Sequence, residues 1–182
     1  LQALAKHAQR PDAHGHTVSD FPLAGLRPAQ LAKLEAGAHA PIEDILPLSP
    51  LQEGLLFHAV FDAGAAGYVT QLVVDFEGEL DADRMRRAAG RLIERHSGQR
   101  VSIHHVGLDR PVQVVHERVE SPWETVDLST VPKPHRPARK QALLLSDQAR
   151  GFELDSAPLF RFTLIALAAD RQYMYEEDGV EI

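Results

Sequence analysis

The chain has 182 residues, of which 44% are hydrophobic and 25% charged, and its formal net charge is −7. This composition is typical of a soluble globular protein with one substantial core. The acidic balance argues against non-specific nucleic-acid binding, which depends on clustered Lys and Arg. No apolar run approaches the roughly 18–20 residues of a membrane helix, and the N-terminus lacks the layout of a secretory signal. The chain has no cysteine, so we expect no disulfide or thiolate metal site and a cytoplasmic location.

Residues 1–40 have the pattern of a linker that packs on another element. Residues 1–10 favour a helical tail, and residues 20–22 are expected to be extended because a residue before proline is disfavoured in the α region. Leu26, Leu31 and Leu34 then recur at helical spacing, with Pro28 early in this segment and Gly37 at its end. Proline in the first turn and glycine at the end are typical helix boundaries, so this segment predicts a short amphipathic helix.

A second helix is predicted by a capping signal. Residues 42–48 are apolar and extended, and Ser49, Pro50 and Gln52 follow them. Serine at the cap, proline at the first helical position and glutamine at the third form a capping-box arrangement. The apolar residues after it fall at helical spacing, which predicts a helix near 50–60.

The remaining elements follow from periodicity and turn residues. Asp81 is a cap for the clearest amphipathic helix, and Gly107 and Asp109 supply a turn between two β-branched runs that predict a hairpin. We predict one mixed sheet with helices packed against it: strands near 70–77, 101–105, 111–118 and 159–168, and helices near 50–60, 81–96 and 137–149. The strand near 159–168 is almost continuously apolar and is expected in the centre of its sheet. Residues 121–137 form a proline-rich connection, and residues 171–182 are polar and acidic and continue no pattern.

Four segments together resemble the condensation domains of non-ribosomal peptide synthetases. "IEDILPLSPLQEGLLFH", with Ser49, Gln52 and Gly54, resembles their opening motif. "LDADRMRRAAGRLIERHSGQRVSI", with Arg95, His96 and Arg100, resembles their second motif, a helix running into RHxxLRTxF. "GFELDSAPLFRFTLIAL" resembles the segment before their catalytic loop, and "TVSDFPLAGL" resembles the linker after an epimerization domain.

The resemblance implies a domain division and a fold. Residues 1–40 are expected to be an inter-domain linker that follows an epimerization-type domain. Residues 41–170 are expected to be the N-terminal lobe of a condensation domain, and residues 171–182 an atypical tail of native or non-native origin. The implied fold class is α/β, a two-layer sandwich that forms a single lobe of the chloramphenicol-acetyltransferase-like, CoA-dependent acyltransferase fold.

The resemblance also implies a reaction and partners. An intact domain joins two substrates held as thioesters on carrier proteins, and the acceptor amine attacks the donor thioester to make a peptide bond. Phosphopantetheine is carried by those partners, so this chain is expected to bind no cofactor and no metal. The linker and opening motif resemble the subtype that takes a D-configured donor. The implied partners are the carrier domains, an upstream epimerization domain and the missing C-terminal lobe.

The catalytic HHxxxDG motif of this family has a misleading match in the hairpin. His104, His105 and Asp109 fit its first six positions, with Arg110 in place of the glycine. In the family the motif comes later, after the strand that "FRFTLIAL" resembles, so we interpret these three as hairpin residues. A metal site is also disfavoured, because adjacent strand residues point to opposite faces and the two histidines cannot converge on one ion.

At the expected position of the motif, Asp178 and Gly179 could be its last two residues. The histidine positions would then be Tyr173 and Met174, and neither can act as a general base. The sequence therefore predicts no catalytic residue here and an inactive chain when alone, a fragment of a peptide-bond-forming acyltransferase. The alternative is a non-catalytic docking module, because an exposed lobe face can bind a neighbour or a second copy.

Two residues of the second motif have competing interpretations. The resemblance implies that Arg100 braces the catalytic loop through the motif's aspartate, and the alternative is an exposed cation at a strand edge. His96 has the chemistry of a base, but a histidine at a helix end is stabilised by the helix dipole, and we favour that structural role. Gln99 and Val101 depart from the family's leucine and threonine.

Overall fold

The computed structural model describes residues 15–61, 69–168 and 171–179, so the helical tail predicted for residues 1–10 lies outside the described residues. Its helices are α1 (Pro28–Gly37), α2 (Pro50–Phe61), α3 (Ala82–Arg95) and α4 (Arg136–Arg150). Its strands are β1 (Ile42–Pro47), β2 (Val69–Glu77), β3 (Val101–His104), β4 (Val112–His116), β5 (Trp123–Asp127), β6 (Phe160–Ala168) and β7 (Arg171–Gly179). Across these ranges no helix combines the length and the apolar character needed to cross a bilayer.

The predicted hairpin is confirmed, but it belongs to its own three-stranded sheet. β3 and β4 pair antiparallel, and the other edge of β4 pairs antiparallel with β1, so the strand order is β1-β4-β3. The expectation of one mixed sheet is therefore wrong. The physical reason is that Ile45 in β1 lies opposite Val114 in β4, and both belong to a buried cluster shared with residues 21–34, separate from the clusters that cover β6.

The second sheet has four strands in the order β2-β7-β6-β5. β5 and β6 are parallel, whereas β7 pairs antiparallel with both β2 and β6. The sequence predicted neither β5, which lies in the proline-rich connection, nor β7, which lies in the segment that continued no pattern. Backbone hydrogen bonds on both edges stabilise β7 whatever its side-chain polarity.

The predicted central position of β6 is confirmed, since the strand lies between β7 and β5. Phe160 and Phe162 pack with Ala89 and Ile93 of α3. Ile165 packs with Leu144 of α4 and with Leu128. Because successive strand residues point to opposite faces, the two helices contact opposite faces of β6, which explains its almost continuous apolar sequence.

Residues 15–40, called the arm below, pack on the three-stranded sheet. Phe21, Leu31 and Leu34 of the arm share a buried cluster with Ile45 and Val114. Burial of such a side chain contributes about 1.5–3 kcal/mol, so the arm and sheet form one core.

The arm also differs from expectation at residues 20–22. These residues form turns instead of an extended segment. The Asp20 carboxylate accepts hydrogen bonds from the backbone N–H and the hydroxyl of Thr17, at 2.7 and 3.0 Å. These side-chain bonds outweigh the extended preference before proline, because an aspartate that bonds its neighbouring backbone stabilises a turn.

Candidate functional site

The opening-motif residues lie at the start of α2. The Ser49 N–H donates to Gln52 Oε1 at 2.7 Å, and the Gln52 N–H donates to Ser49 Oγ at 3.3 Å. This reciprocal pair is the predicted capping box. Gln52 is buried, while Ser49 and Gly54 are exposed, and no atom lies within 4 Å of the position that a Gly54 side chain would take. These contacts stabilise the helix start.

Arg95 and His96 lie at the end of α3. Both are exposed, and His96 is the C-cap residue, its backbone N–H donating to the carbonyl of Leu92 at 3.0 Å. The structure thus places His96 at the helix end that the sequence indicated, where a protonated imidazole interacts favourably with the dipole.

Arg100 is buried, and its guanidinium joins three elements. It donates to the carbonyls of Ile93 and Glu94 at 2.9 and 2.8 Å, to the carbonyl of His116 at 2.8 Å and to the Glu43 carboxylate at 2.6 Å. The last carbonyls of a helix have no partner within the helix, so Arg100 satisfies two of them at the end of α3. The alternative of an exposed strand-edge cation is wrong, since Arg100 is 6% exposed. Bracing of a catalytic loop stays a prediction.

The three residues of the misleading motif match lie at the turn end of the hairpin. His104 ends β3, His105 follows it, and Asp109 lies in the turn, where its carboxylate accepts a hydrogen bond from Arg27 at 2.9 Å. Both partners of this ion pair are mostly exposed. In the ranges 15–61, 69–168 and 171–179, no group of three or more His, Asp or Glu side chains could hold a metal ion.

Asp178 and Gly179 are strand residues of β7. Asp178 lies opposite Thr70 of β2 and Phe160 of β6, and Gly179 lies opposite Val69. The backbone at this position is therefore a paired strand and does not form a loop.

A buried polar chain that the sequence did not indicate links three residues of β3 and β4. Ser102 Oγ lies 2.8 Å from His116 Nε2 and 2.9 Å from His104 Nε2. His116 Nδ1 lies 3.4 Å from the carbonyl of Ala40, the last residue of the arm. Ser102 lies opposite Val114, so His116 is its diagonal neighbour on the same face. This relationship depends on the strand register and cannot be seen in sequence spacing.

The chemistry of these groups fixes the direction of the hydrogen bonds. Burial lowers the pKa of both His104 and His116, with neighbouring histidines lowering them further, whereas Asp155 opposes the shift at His104 and the Ala40 carbonyl opposes it at His116. Both rings are therefore neutral near pH 7. A carbonyl can only accept, so His116 Nδ1 carries the proton and Nε2 accepts from the Ser102 hydroxyl, which in turn accepts from His104.

A cavity of about 450 Å³ adjoins His104 and His116. Its wall combines the end of the arm with the sheet and two loops: Leu34, Gly37, Ala38, His39, Ala40, His104, Val114, His116, Arg118, Val119, Glu120, Asp155, Ala157 and Pro158. Ser102 itself has no exposed surface. A nucleophile must reach its substrate, so a serine-histidine hydrolase is not supported.

Solved structures with the same fold are condensation domains and related biosynthetic proteins. The tallysomycin biosynthesis protein TlmII superposes with a TM-score of 0.64 at 24% identity, over 74% of this chain and 33% of that one. The first condensation domain of the calcium-dependent antibiotic synthetase superposes with a TM-score of 0.63 at 21% identity, over 72% of this chain and 32% of that one. This likeness confirms the predicted α/β fold of the chloramphenicol-acetyltransferase type, with the chain matching a single lobe.

The sequence matches the condensation domain family over residues 42–177, which is more than half of the chain, so the chain belongs to that family. A linear gramicidin synthase protein of Brevibacillus parabrevis is 38% identical over 168 residues, which are 92% of this chain and 2% of that protein. Bacitracin synthase 3 of Bacillus licheniformis is 27% identical over 173 residues, which are 95% of this chain and 3% of that protein. The chain thus spans a small fraction of the curated relatives it matches.

Proposed function

We propose that residues 41–170 are the N-terminal lobe of a condensation domain in a non-ribosomal peptide synthetase. The observation that carries this proposal is the family match over residues 42–177. It is supported by three relatives from Brevibacillus parabrevis, all of them linear gramicidin synthase proteins. The intact domain would form a peptide bond between two carrier-bound substrates, the acceptor amine attacking the donor thioester.

In this proposal the lobe supplies a scaffold for the reaction. Arg100 holds the end of α3 to β1 and β4, and the capping box fixes the start of α2. The second lobe would complete the substrate tunnel between the two carrier proteins. Holding two tethered substrates in register supplies much of the rate in such a reaction, and one lobe cannot hold both.

The finer assignments belong to the same proposal. The carrier proteins would bring the phosphopantetheine, and the arm would connect the lobe to an upstream epimerization domain. The segment from Thr17 to Leu26 and the opening motif support a donor of D configuration. The proposed location is cytoplasmic.

A condensation assay tests the proposal in the intact domain that contains this lobe. Donor and acceptor amino acids are loaded on separate carrier proteins, and the dipeptidyl thioester is followed by mass spectrometry. We expect product that requires both carriers and is favoured by a D-configured donor. A folded domain that makes no dipeptidyl thioester with any donor would contradict the proposal, and equal use of L and D donors would contradict the subtype alone.

The alternative, a docking module derived from this lobe, is favoured by exposed apolar side chains. Leu51 and Val60 on α2 and Leu72 on β2 are all exposed large hydrophobics. Such surfaces promote association. Sedimentation of the 182-residue chain tests this alternative: a dimer that Leu51→Glu converts to monomer would support docking through α2, and a monomer at all concentrations would contradict it.

A further inference from the structure

At the end of the arm, the Ala40 carbonyl lies next to His116, which is hydrogen-bonded through Ser102 to His104. Ala38, His39 and Ala40 line the cavity of about 450 Å³ together with His104 and His116. His116 is 5% exposed and Ser102 is fully buried. The hydrogen bond between Ser102 and His116 therefore lies in a largely buried site at the end of the arm.

The hydrogen bonds among His104, Ser102 and His116 require at least one neutral histidine. The single proton of the Ser102 hydroxyl is used on His116 Nε2, 2.8 Å away. If both histidines gain a proton, both Nε2 atoms become donors, and the hydroxyl must turn away to accept from both rings. Its own proton then loses its acceptor, and a charge is placed in a buried site, which is costly unless it is paired.

We propose that His104, Ser102 and His116 form a pH-sensitive latch that holds the end of the arm on the three-stranded sheet when both histidines are neutral and releases it when they are protonated. The latch is independent of the proposed peptide-bond formation, because it concerns how the arm is attached.

Other ionisable groups face the latch from every neighbouring element. They are Lys33 on α1, His39 at the end of the arm, Glu43 on β1, Arg100 and His105 at the two ends of β3, Glu117, Arg118 and Glu120 after β4, and Glu153 and Asp155 before β6. Arg100 donates to the His116 carbonyl and is paired with Glu43. Glu43, Glu117 and Glu120 are exposed, so water and salt screen their attraction for a protonated histidine. Burial therefore dominates, and Asp155 opposes it only at His104.

The direction of the pH dependence follows from the lowered pKa of both histidines. With the arm attached, the site binds fewer protons than it does with the arm released, where each histidine has its ordinary pKa of about 6.5. Attachment is therefore complete above that pH and weakens as the pH falls below it.

Hydrogen exchange of the 182-residue chain tests the latch. Amides of α1 report on the arm, and amides of β6 report on global unfolding. Between about pH 7.5 and about pH 5.5, after correction for intrinsic exchange rates, we expect protection of α1 to fall by up to about tenfold for each of the two histidines, because the lower pH is about one unit below their ordinary pKa. Protection of β6 should fall as well, because the unfolded chain binds the same additional protons, but it should stay above that of α1 at both pH values. Unchanged protection of α1, or protection of α1 equal to that of β6 at both pH values, would overturn the proposal.

Histidine variants distinguish the protonation of His104 and His116 from the protonation of other groups. His116→Gln keeps a donor and an acceptor but does not titrate, so α1 protection should become less dependent on pH. His104→Gln is the second test, because that side chain is only half-buried and its replacement perturbs packing less. His135→Gln, an exposed histidine at the start of α4, is the matched control and should keep the parent profile. If both latch variants also keep the parent profile, the proposal is wrong.

Discussion

Arg100 Nη2 lies 2.6 Å from Glu43 Oε2, and the two side chains differ sharply in burial, at 7% and 46% exposure. The ion pair connects β1 with the residue that precedes β3. Because the same guanidinium also binds the carbonyls of Ile93, Glu94 and His116, one side chain holds the end of α3 to the three-stranded sheet.

Arg100→Ala should destabilise the chain by about 3–5 kcal/mol. The substitution leaves three carbonyls without their charged donor and opens a buried space, and hydrogen bonds to charged groups contribute about 1.5–3 kcal/mol each without being additive. Urea unfolding measures the change. Glu43→Gln should cost only about 0.5–1 kcal/mol, because the amide oxygen can still accept from Arg100, which also keeps its three carbonyl acceptors.

The matched control for this substitution is Arg95→Ala. Arg95 lies on the same motif but is exposed, so its removal should change stability by less than about 0.5 kcal/mol. Equal losses for Arg95→Ala and Arg100→Ala would show that the described hydrogen bonds contribute little.

Ser49→Ala should lower the free energy of unfolding by about 1 kcal/mol, because the first turn of α2 loses its side-chain cap. Ser49→Asp should restore most of that stability, since its carboxylate can accept the same Gln52 N–H. Thermal unfolding followed by circular dichroism measures both variants. A loss that Ser49→Asp fails to recover would argue against the capping role.

Asp147→Ala should cost about 3–5 kcal/mol, because it removes the partner of a buried charge. Asp147 Oδ1 accepts from Arg161 Nε at 2.8 Å, and both side chains are about nine-tenths buried. Arg150→Ala removes the other cation near Asp147, but Arg150 is 55% exposed, so we expect a cost of about 0.5 kcal/mol. Chemical denaturation of the two variants side by side is the measurement, and similar costs would contradict the importance of burial.

His105→Ala and Asp109→Asn, made in an intact condensation domain, should leave the rate of peptide-bond formation nearly unchanged. Asp109 pairs with Arg27 on the surface, and His105 lies beyond the end of β3. Removal of a catalytic base typically lowers the rate by roughly 10²–10⁴-fold. Single-turnover kinetics with carrier-bound substrates would reveal a loss of that size, which would show that the match to the catalytic motif is real.

Local signals in the sequence were sufficient for the helices and for the hairpin. Pro28 and Gly37 bound α1, Ser49 and Gln52 begin α2, and Asp81 caps α3 by accepting from the Arg84 N–H at 2.9 Å. These features depend on residues within one or two turns of each other, which is the range that periodicity and capping describe.

The pairing of distant strands could not be predicted in the same way. β7 is polar and acidic, and its sequence has no strand pattern. It forms a strand because it pairs with β2 and β6. The division into two sheets depends on the pairing of β1 with β4, which are far apart in the sequence. Ser102 and His116 are 14 positions apart and meet diagonally because of the register between β3 and β4, so spacing alone gives no sign of their contact.

A lobe that serves as a scaffold without its own catalytic base should be inactive when alone, and an activity assay of the 182-residue chain measures this. The sequence has no histidine after His135, so neither β6 nor β7 contains one. With donor and acceptor loaded on their carrier proteins, we expect no dipeptidyl thioester by mass spectrometry above a control without the chain. Product above that control would contradict the scaffold role, and would show that residues of this lobe carry out the condensation.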